Sequence, residues 1–180
     1  MDLPIRKPLR LKEFDYSSPG AYFITICTHE RKCILSDITA SAPEDGVGAL
    51  HEAPAVRLAL TPEGECVRRI LENLSLRFPE IFLDHFVIMP NHIHLLLRIE
   101  GDRAIHESPL PDGGKRSLLS KAIGYLKMNS TREIRRMRPD ETIWQRSFFD
   151  HIVRNESDHR QITEYIAANP ARWAEDRFHP

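Results

Sequence analysis

Two histidines, His92 and His94, stand one residue apart in the run Met89-Pro90-Asn91-His92-Ile93-His94-Leu95-Leu96-Leu97. On a β-strand, successive side chains point to opposite faces. His92 and His94 would then project from one face, and Ile93, Leu95 and Leu97 from the other. The apolar face can pack on helices. The two imidazoles can share one divalent ion, because neutral imidazole is a common ligand for transition metals. The spacing alone also fits two ordinary hydrogen-bonded histidines near a strand start.

Such a pair needs a scaffold. Residues 21–28, AYFITICT, are aromatic and β-branched and predict a first strand. Residues 37–55 are rich in Ala, Pro, Gly and acid and predict a flexible loop, followed by a short strand at 56–60. Thr61-Pro62 opens a helix, Thr as its N-cap and Pro in its first turn, with apolar residues recurring helically to about Arg77. Strands at 83–89 and 92–99 flank the turn signal Pro90-Asn91, predicting a hairpin. Residues 101–114 predict a second flexible loop. Ser117 caps a long basic helix running to about Met137, a strand follows at 148–154, and Asn155 caps a last helix over 156–168 that Pro170 stops. The order β, (β), α, β, β, α, β, α predicts an α+β sandwich with an antiparallel sheet, one domain over 1–180.

The 180 residues suffice for one real core, and 41% hydrophobic with 28% charged residues is ordinary for a globular chain. No apolar run approaches the ~20 residues of a membrane span. The start, MDLPIRKPLRLKEFDY, lacks the apolar core of a secretory signal, so the expected compartment is the cytoplasm. Three cysteines without a CxxC pair are expected to be reduced, with Cys27 in the core. Net charge is −1, so the overall balance does not announce a nucleic-acid binder. The distribution says more. Residues 115–138 carry Lys115, Arg116, Lys121, Lys127, Arg132, Arg135, Arg136 and Arg138 against the single acid Glu133, and Arg6, Lys7, Arg10 and Lys12 stand near the start. A clustered basic face suits a phosphate backbone, and a solvated helix face explains it equally well.

HFVIMPNHIHLLL resembles the HUH motif (His, bulky hydrophobic, His) of the single-tyrosine transposases associated with insertion sequences and REP elements. YFITICTHERKCIL resembles that family's first strand, and IWQRSFFDHIVRNE with YIAANPARW resembles its C-terminal signature. Together these blocks cover most of the chain outside the two loops. The resemblance implies a ferredoxin-like or RRM-like antiparallel sheet, helices mainly on one face, and a C-terminal helix carrying the tyrosine.

A strand transferase of this kind needs a nucleophile that stores the broken phosphodiester covalently, and a phenol suits because it is a good leaving group. The chain has Tyr16, Tyr22, Tyr125 and Tyr165. Each has an ordinary reading: Tyr16 in a polar leader, Tyr22 as core, Tyr125 as helix packing, Tyr165 at the edge of a buried helix face. The resemblance separates them, because the tyrosine of the family's YI–NP block corresponds to Tyr165. It also implies that Asn169, four residues on and on the same helix face, completes the metal site with His92 and His94. The implied ion is Mg²⁺ or Mn²⁺, and the implied chemistry is a 5′-phosphotyrosine intermediate. The implied partner is hairpin-containing single-stranded DNA, with a monomer favoured over a homodimer. Lys115, Arg116, Lys121, Lys127, Arg132, Arg135 and Arg136 are the expected DNA contacts, and His151 an active-site neighbour. Trp144, Phe148 and Phe149 are read first as core, with base stacking the alternative. Two other functions use the same features: a metal-dependent nuclease that activates water and has no need of Tyr165, and a nucleic-acid-binding regulator with an inactive site.

Overall fold

A computed structural model describes residues 18–40, 56–101 and 117–180. Tyr16, Lys115, Arg116, the basic residues near the start, and most of both expected loops lie outside the described residues.

The strands and helices are β1 (Gly20–Cys27), β2 (Ser36–Ala40), β3 (Val56–Leu60), α1 (Pro62–Glu72), α2 (Leu74–Arg77), β4 (Ile81–Ile88), β5 (His92–Ile99), α3 (Leu118–Ile134), β6 (Phe149–Val153) and α4 (Glu156–Ala168). Strands β4-β5-β1-β6 form one sheet in that order, antiparallel throughout, and β2 and β3 form a separate ribbon. This is the α+β architecture the sequence predicts. All three expected caps form: Thr61, Ser117 and Asn155 accept from the backbone N–H of Gly64, Ser120 and Asp158.

β5 lies inside the sheet and is buried on both faces. Ile93, Leu95 and Leu97 join Tyr22, Ile24 and Ile26 of β1 against Val67 and Leu71 of α1 and Leu119, Ile123 and Leu126 of α3. The other face carries His92, His94 and Leu96. There α4 sets Ile162 and Ile166 on Leu96, with Phe23, Val87 and Val153 around them. Most helices therefore cover one face, and α4 crosses the histidine face.

β4 breaks strict alternation. A bulge between Leu83 and His85 adds one residue opposite β5, so Leu83 and Phe86 both face the core. Without it, half of β4 would turn its apolar side chains to the wrong face.

Three expectations need correction. The predicted loop at 37–55 loses its first residues to β2, which pairs residue by residue with β3. Neither strand is convincing alone, and the pairing supplies the hydrogen bonds. The helix expected to run from Pro62 to Arg77 breaks at Asn73, whose φ/ψ of −98°/8° leaves the helical region while its side-chain amide donates to the Arg69 carbonyl. α3 ends at Ile134 rather than near Met137.

The start of α1 is pressed against the backbone that enters β2. Thr61 donates from its N–H to the Leu35 carbonyl and from its hydroxyl to the Ile34 carbonyl. A Cβ on Gly64 would sit 1.9 Å from the Leu35 oxygen, a backbone atom that cannot swing away. Gly64→Ala is expected to lower stability by roughly 1–3 kcal/mol despite alanine's better helix propensity. Gly124→Ala, where a Cβ would meet nothing within 4 Å, is expected to raise it slightly. Paired urea-unfolding midpoints check both.

Candidate active site

The turn at Pro90-Asn91 delivers β5 to the sheet with His92 first, and both His92 and His94 are fully buried. Asn91 fixes the chemistry of His92. Its amide nitrogen donates to the carbonyls of Phe178 (2.7 Å) and Arg31 (3.2 Å), so its oxygen is left to accept from His92 Nδ1 at 2.9 Å. A neutral His92 therefore carries its proton on Nδ1 and presents a bare Nε2. That nitrogen lies 3.0 Å from His94 Nε2. On the far side of His94, Nδ1 is 2.8 Å from the Thr25 hydroxyl, which can donate or accept and so supports either tautomer. Burial pushes both imidazole pKa values down. Arg177 adds to this at both rings and Arg31 at His92, while Asp176 opposes it at His92.

This depression links the pair to stability. In the unfolded chain these rings titrate near pH 6.5, and in the folded chain they stay neutral well below it. The unfolded state therefore binds more protons as pH falls, and stability present above about pH 6.5 is lost below it. In metal-free buffer, acidification from pH 7 to 5 should cost up to roughly 2 kcal/mol per histidine. Thermal melts of the protein and of a His92→Gln/His94→Gln double variant check this. The pH-dependent loss should be smaller in the variant.

α4 brings Tyr165 to the pair. Its hydroxyl is 3.3 Å from His94 Nε2, and its ring stands at an edge to Phe23 with centroids 6.0 Å apart. Burial first, then the charge of Asp176, raises the phenol pKa above its ordinary value. The hydroxyl is therefore protonated at neutral pH. The residue is still 40% exposed, so the site opens to solvent on its side.

Asn169 follows at the end of α4 and is buried. Its amide nitrogen donates to Asp176 Oδ2 at 3.2 Å, and its oxygen has no hydrogen-bond partner among the described residues. Asp176 belongs to the segment after α4, which turns through Pro170–Glu175 and returns across the histidines. Ligand atoms of His92, His94 and Asp176 all lie within 4.8 Å of one another. Trp173 and Phe178 wall the His92 ring at centroid distances of 6.1 and 4.6 Å.

No protein-family model matches the chain. An uncharacterized protein of Haemophilus influenzae is 30% identical over 182 residues, spanning 97% of this chain and 93% of that one. A second protein of the same organism, named "Putative REP-associated tyrosine transposase", is 25% identical over 168 residues, spanning 88% of this chain and 74% of that one. The fold is shared with a solved structure of a REP-associated tyrosine transposase bound to a REP hairpin. The TM-score is 0.56 at 18% identity, covering 93% of this chain and 74% of that one. The chain is thus similar in sequence to a putative REP-associated tyrosine transposase and shares the fold of a solved one.

The residues present fit the divalent ion that the resemblance implies. Two imidazole nitrogens 3.0 Å apart can both reach one ion. The unpartnered Asn169 oxygen and the Asp176 carboxylate add hard oxygen donors beside the nitrogens.

The structure brings His92, His94, Tyr165 and Asn169 together. His151 stands opposite Phe23 on the same sheet face, but its Nε2 pairs with Asp158 at 2.9 Å, and Asp158 also receives the Arg154 N–H. The basic helix is elsewhere. α3 packs on the sheet face opposite the histidines, so Lys121, Arg132, Arg135 and Arg136 are exposed but cannot touch a phosphate held at the pair. Lys127 is turned inward. Its ammonium donates to the carbonyls of Gln145 and Ser147 at 2.7 Å each, and burial pushes its pKa down to about 8. The cations that do stand by the site, Arg31 and Arg177, escaped sequence reading, as did Asp176. The adjacent acids Glu175 and Asp176 after the NPARW block were the one signal for Asp176.

Proposed function

We propose that this protein is a metal-dependent DNA strand transferase that cleaves and rejoins single-stranded DNA, beside a hairpin, through a 5′-phosphotyrosine intermediate. The observation that carries this reading is the Tyr165 hydroxyl 3.3 Å from the nitrogen that His94 turns toward His92. His94 and Tyr165 stand 71 positions apart in sequence, and the fold brings their polar atoms within reach of each other.

His92 and His94, with Asp176 or Asn169, would hold a Mg²⁺ or Mn²⁺ ion, which would supply Lewis-acid stabilisation of a phosphate oxygen. Tyr165 supplies the nucleophile. The phenol oxygen bonds to phosphorus, the bond from phosphorus to the 3′ oxygen breaks, and the phenol proton passes through solvent to that departing oxygen, leaving a free 3′-OH. The phosphotyrosyl bond conserves the energy of the broken linkage, so a 3′-OH can reverse the step without ATP. Asn91 and Thr25 hold the imidazoles in orientation and tautomer. Phe23 packs beside both His94 and Tyr165 and excludes water from the buried side. Substrate approaches from the exposed Tyr165 side. All of these groups come from one chain, which supports action as a monomer.

The test is a denaturing gel of labelled hairpin-containing single-stranded DNA incubated with Mn²⁺ and either the protein or its Tyr165→Phe variant. A covalent adduct formed only by the unaltered protein supports the reading. Cleavage without an adduct by both proteins would replace it with water-activating hydrolysis.

A further inference from the structure

We infer that Phe149 is a stacking platform for one nucleobase of the single strand beside the scissile phosphate, an assignment that rests on the strand-transfer reading above. β6 opens with Phe149, and Phe148 stands just before it; the two adjacent rings go to opposite faces. Phe148 packs on the main core. Phe149 is 41% exposed, on a sheet edge. One ring is used by the fold and the other is left open to solvent.

Its position is specific. Phe149 pairs with Thr25, and Thr25 pairs with His94. Directly opposed residues share a face, and the Thr25 hydroxyl contacts the His94 ring. Phe149 therefore sits on the histidine face, two interstrand spacings or about 10 Å from His94 along the sheet. A phosphate at the histidine pair places the base of the same or the adjoining nucleotide over that stretch. The Arg177 guanidinium lies 6.0 Å from the Phe149 ring centroid. A partly exposed aromatic ring with a guanidinium over one face, beside the phosphate position, is a combination that can take a nucleobase and its backbone together. Every base has a π-face, so the platform would grip the strand without dictating sequence.

The experiment measures equilibrium binding of labelled hairpin DNA bearing a single-stranded extension, in chelator so that no cleavage occurs. The proteins are the unaltered chain, Phe149→Leu and Phe149→Trp. A matching set of DNAs carries one abasic position at each of the three nucleotides on either side of the cleavage point. Phe149→Leu should weaken binding about tenfold, and Phe149→Trp should restore it. One abasic position should weaken the unaltered protein to the level of Phe149→Leu while costing that variant nothing more. Equal affinities for all three proteins, or abasic losses that are the same in Phe149→Leu, overturn the inference. Thermal melts show that the variants are folded, since the ring lies at the surface. The two readings separate cleanly. Binding that depends on Phe149 without a Tyr165 adduct leaves the platform and removes the transferase. An adduct with Phe149-independent binding does the reverse, and no DNA binding at all removes both.

Discussion

Tyr165→Phe is expected to abolish covalent attachment to DNA and to slow cleavage by roughly 10³-fold or more, with little change in stability. The size follows from the role: removing a nucleophile removes the step, and residual rates in such variants come from positioning and electrostatics alone. The modest structural cost follows from the surroundings. The hydroxyl is on a residue 40% exposed to solvent, and its contact with His94 is long for a hydrogen bond at 3.3 Å. The ring, which packs edge-on to Phe23, is retained by phenylalanine.

The control that gives this result its meaning is Tyr125→Phe. Tyr125, on α3, is the other helical tyrosine among the described residues; it packs at an edge to Phe78 with centroids 5.7 Å apart, on the sheet face away from the histidines. It should leave both adduct and cleavage intact. If cleavage survives Tyr165→Phe undiminished, water is the nucleophile. If neither the unaltered protein nor either variant cleaves while all bind, the site serves recognition alone.

What the sequence showed and what it hid divide by the range of the interaction. The helix caps at Thr61, Ser117 and Asn155 and the hairpin around Pro90-Asn91 were legible because each is decided within a few residues. The alternation that puts His92 and His94 on one face is equally local. β2 was not legible, because the five residues Ser36–Ala40 become a strand only through β3 some twenty positions on. Nor was the side of the sheet that α3 covers. Its charges were visible, but the choice of face depends on how α3 meets α1 across the core. Asp176 and Phe178 lie more than eighty residues from His92, and Asn91, holding the Phe178 carbonyl, helps tie that segment to the turn. The Phe148-Phe149 pair is the opposite case. Alternation alone implies that one ring is inward and one outward, and reading both first as core set aside a rule already in hand.

Mn²⁺ should raise the melting temperature of the unaltered protein at pH 7.5, and His94→Gln should remove that shift. An ion that binds only the folded state stabilises it by about 2.7 kcal/mol at a hundred times its dissociation constant. For a chain of this size that is about 5–10 °C. Glutamine keeps a polar side chain beside Thr25 but does not supply the imidazole nitrogen that faces His92. Asp176→Asn should reduce the shift without eliminating it, because the two nitrogens remain. At pH 7.5 both imidazoles are neutral in the folded protein, since burial holds their pKa values well below the ordinary range, so binding displaces no imidazolium proton. At pH 5.5 the folded rings are still neutral, and affinity should hold there better than at two exposed histidines. A Mn²⁺ shift of equal size in the unaltered protein and in His94→Gln would place the ion elsewhere on the molecule. Chelator should return every melting curve to its starting position, which separates a bound ion from irreversible aggregation.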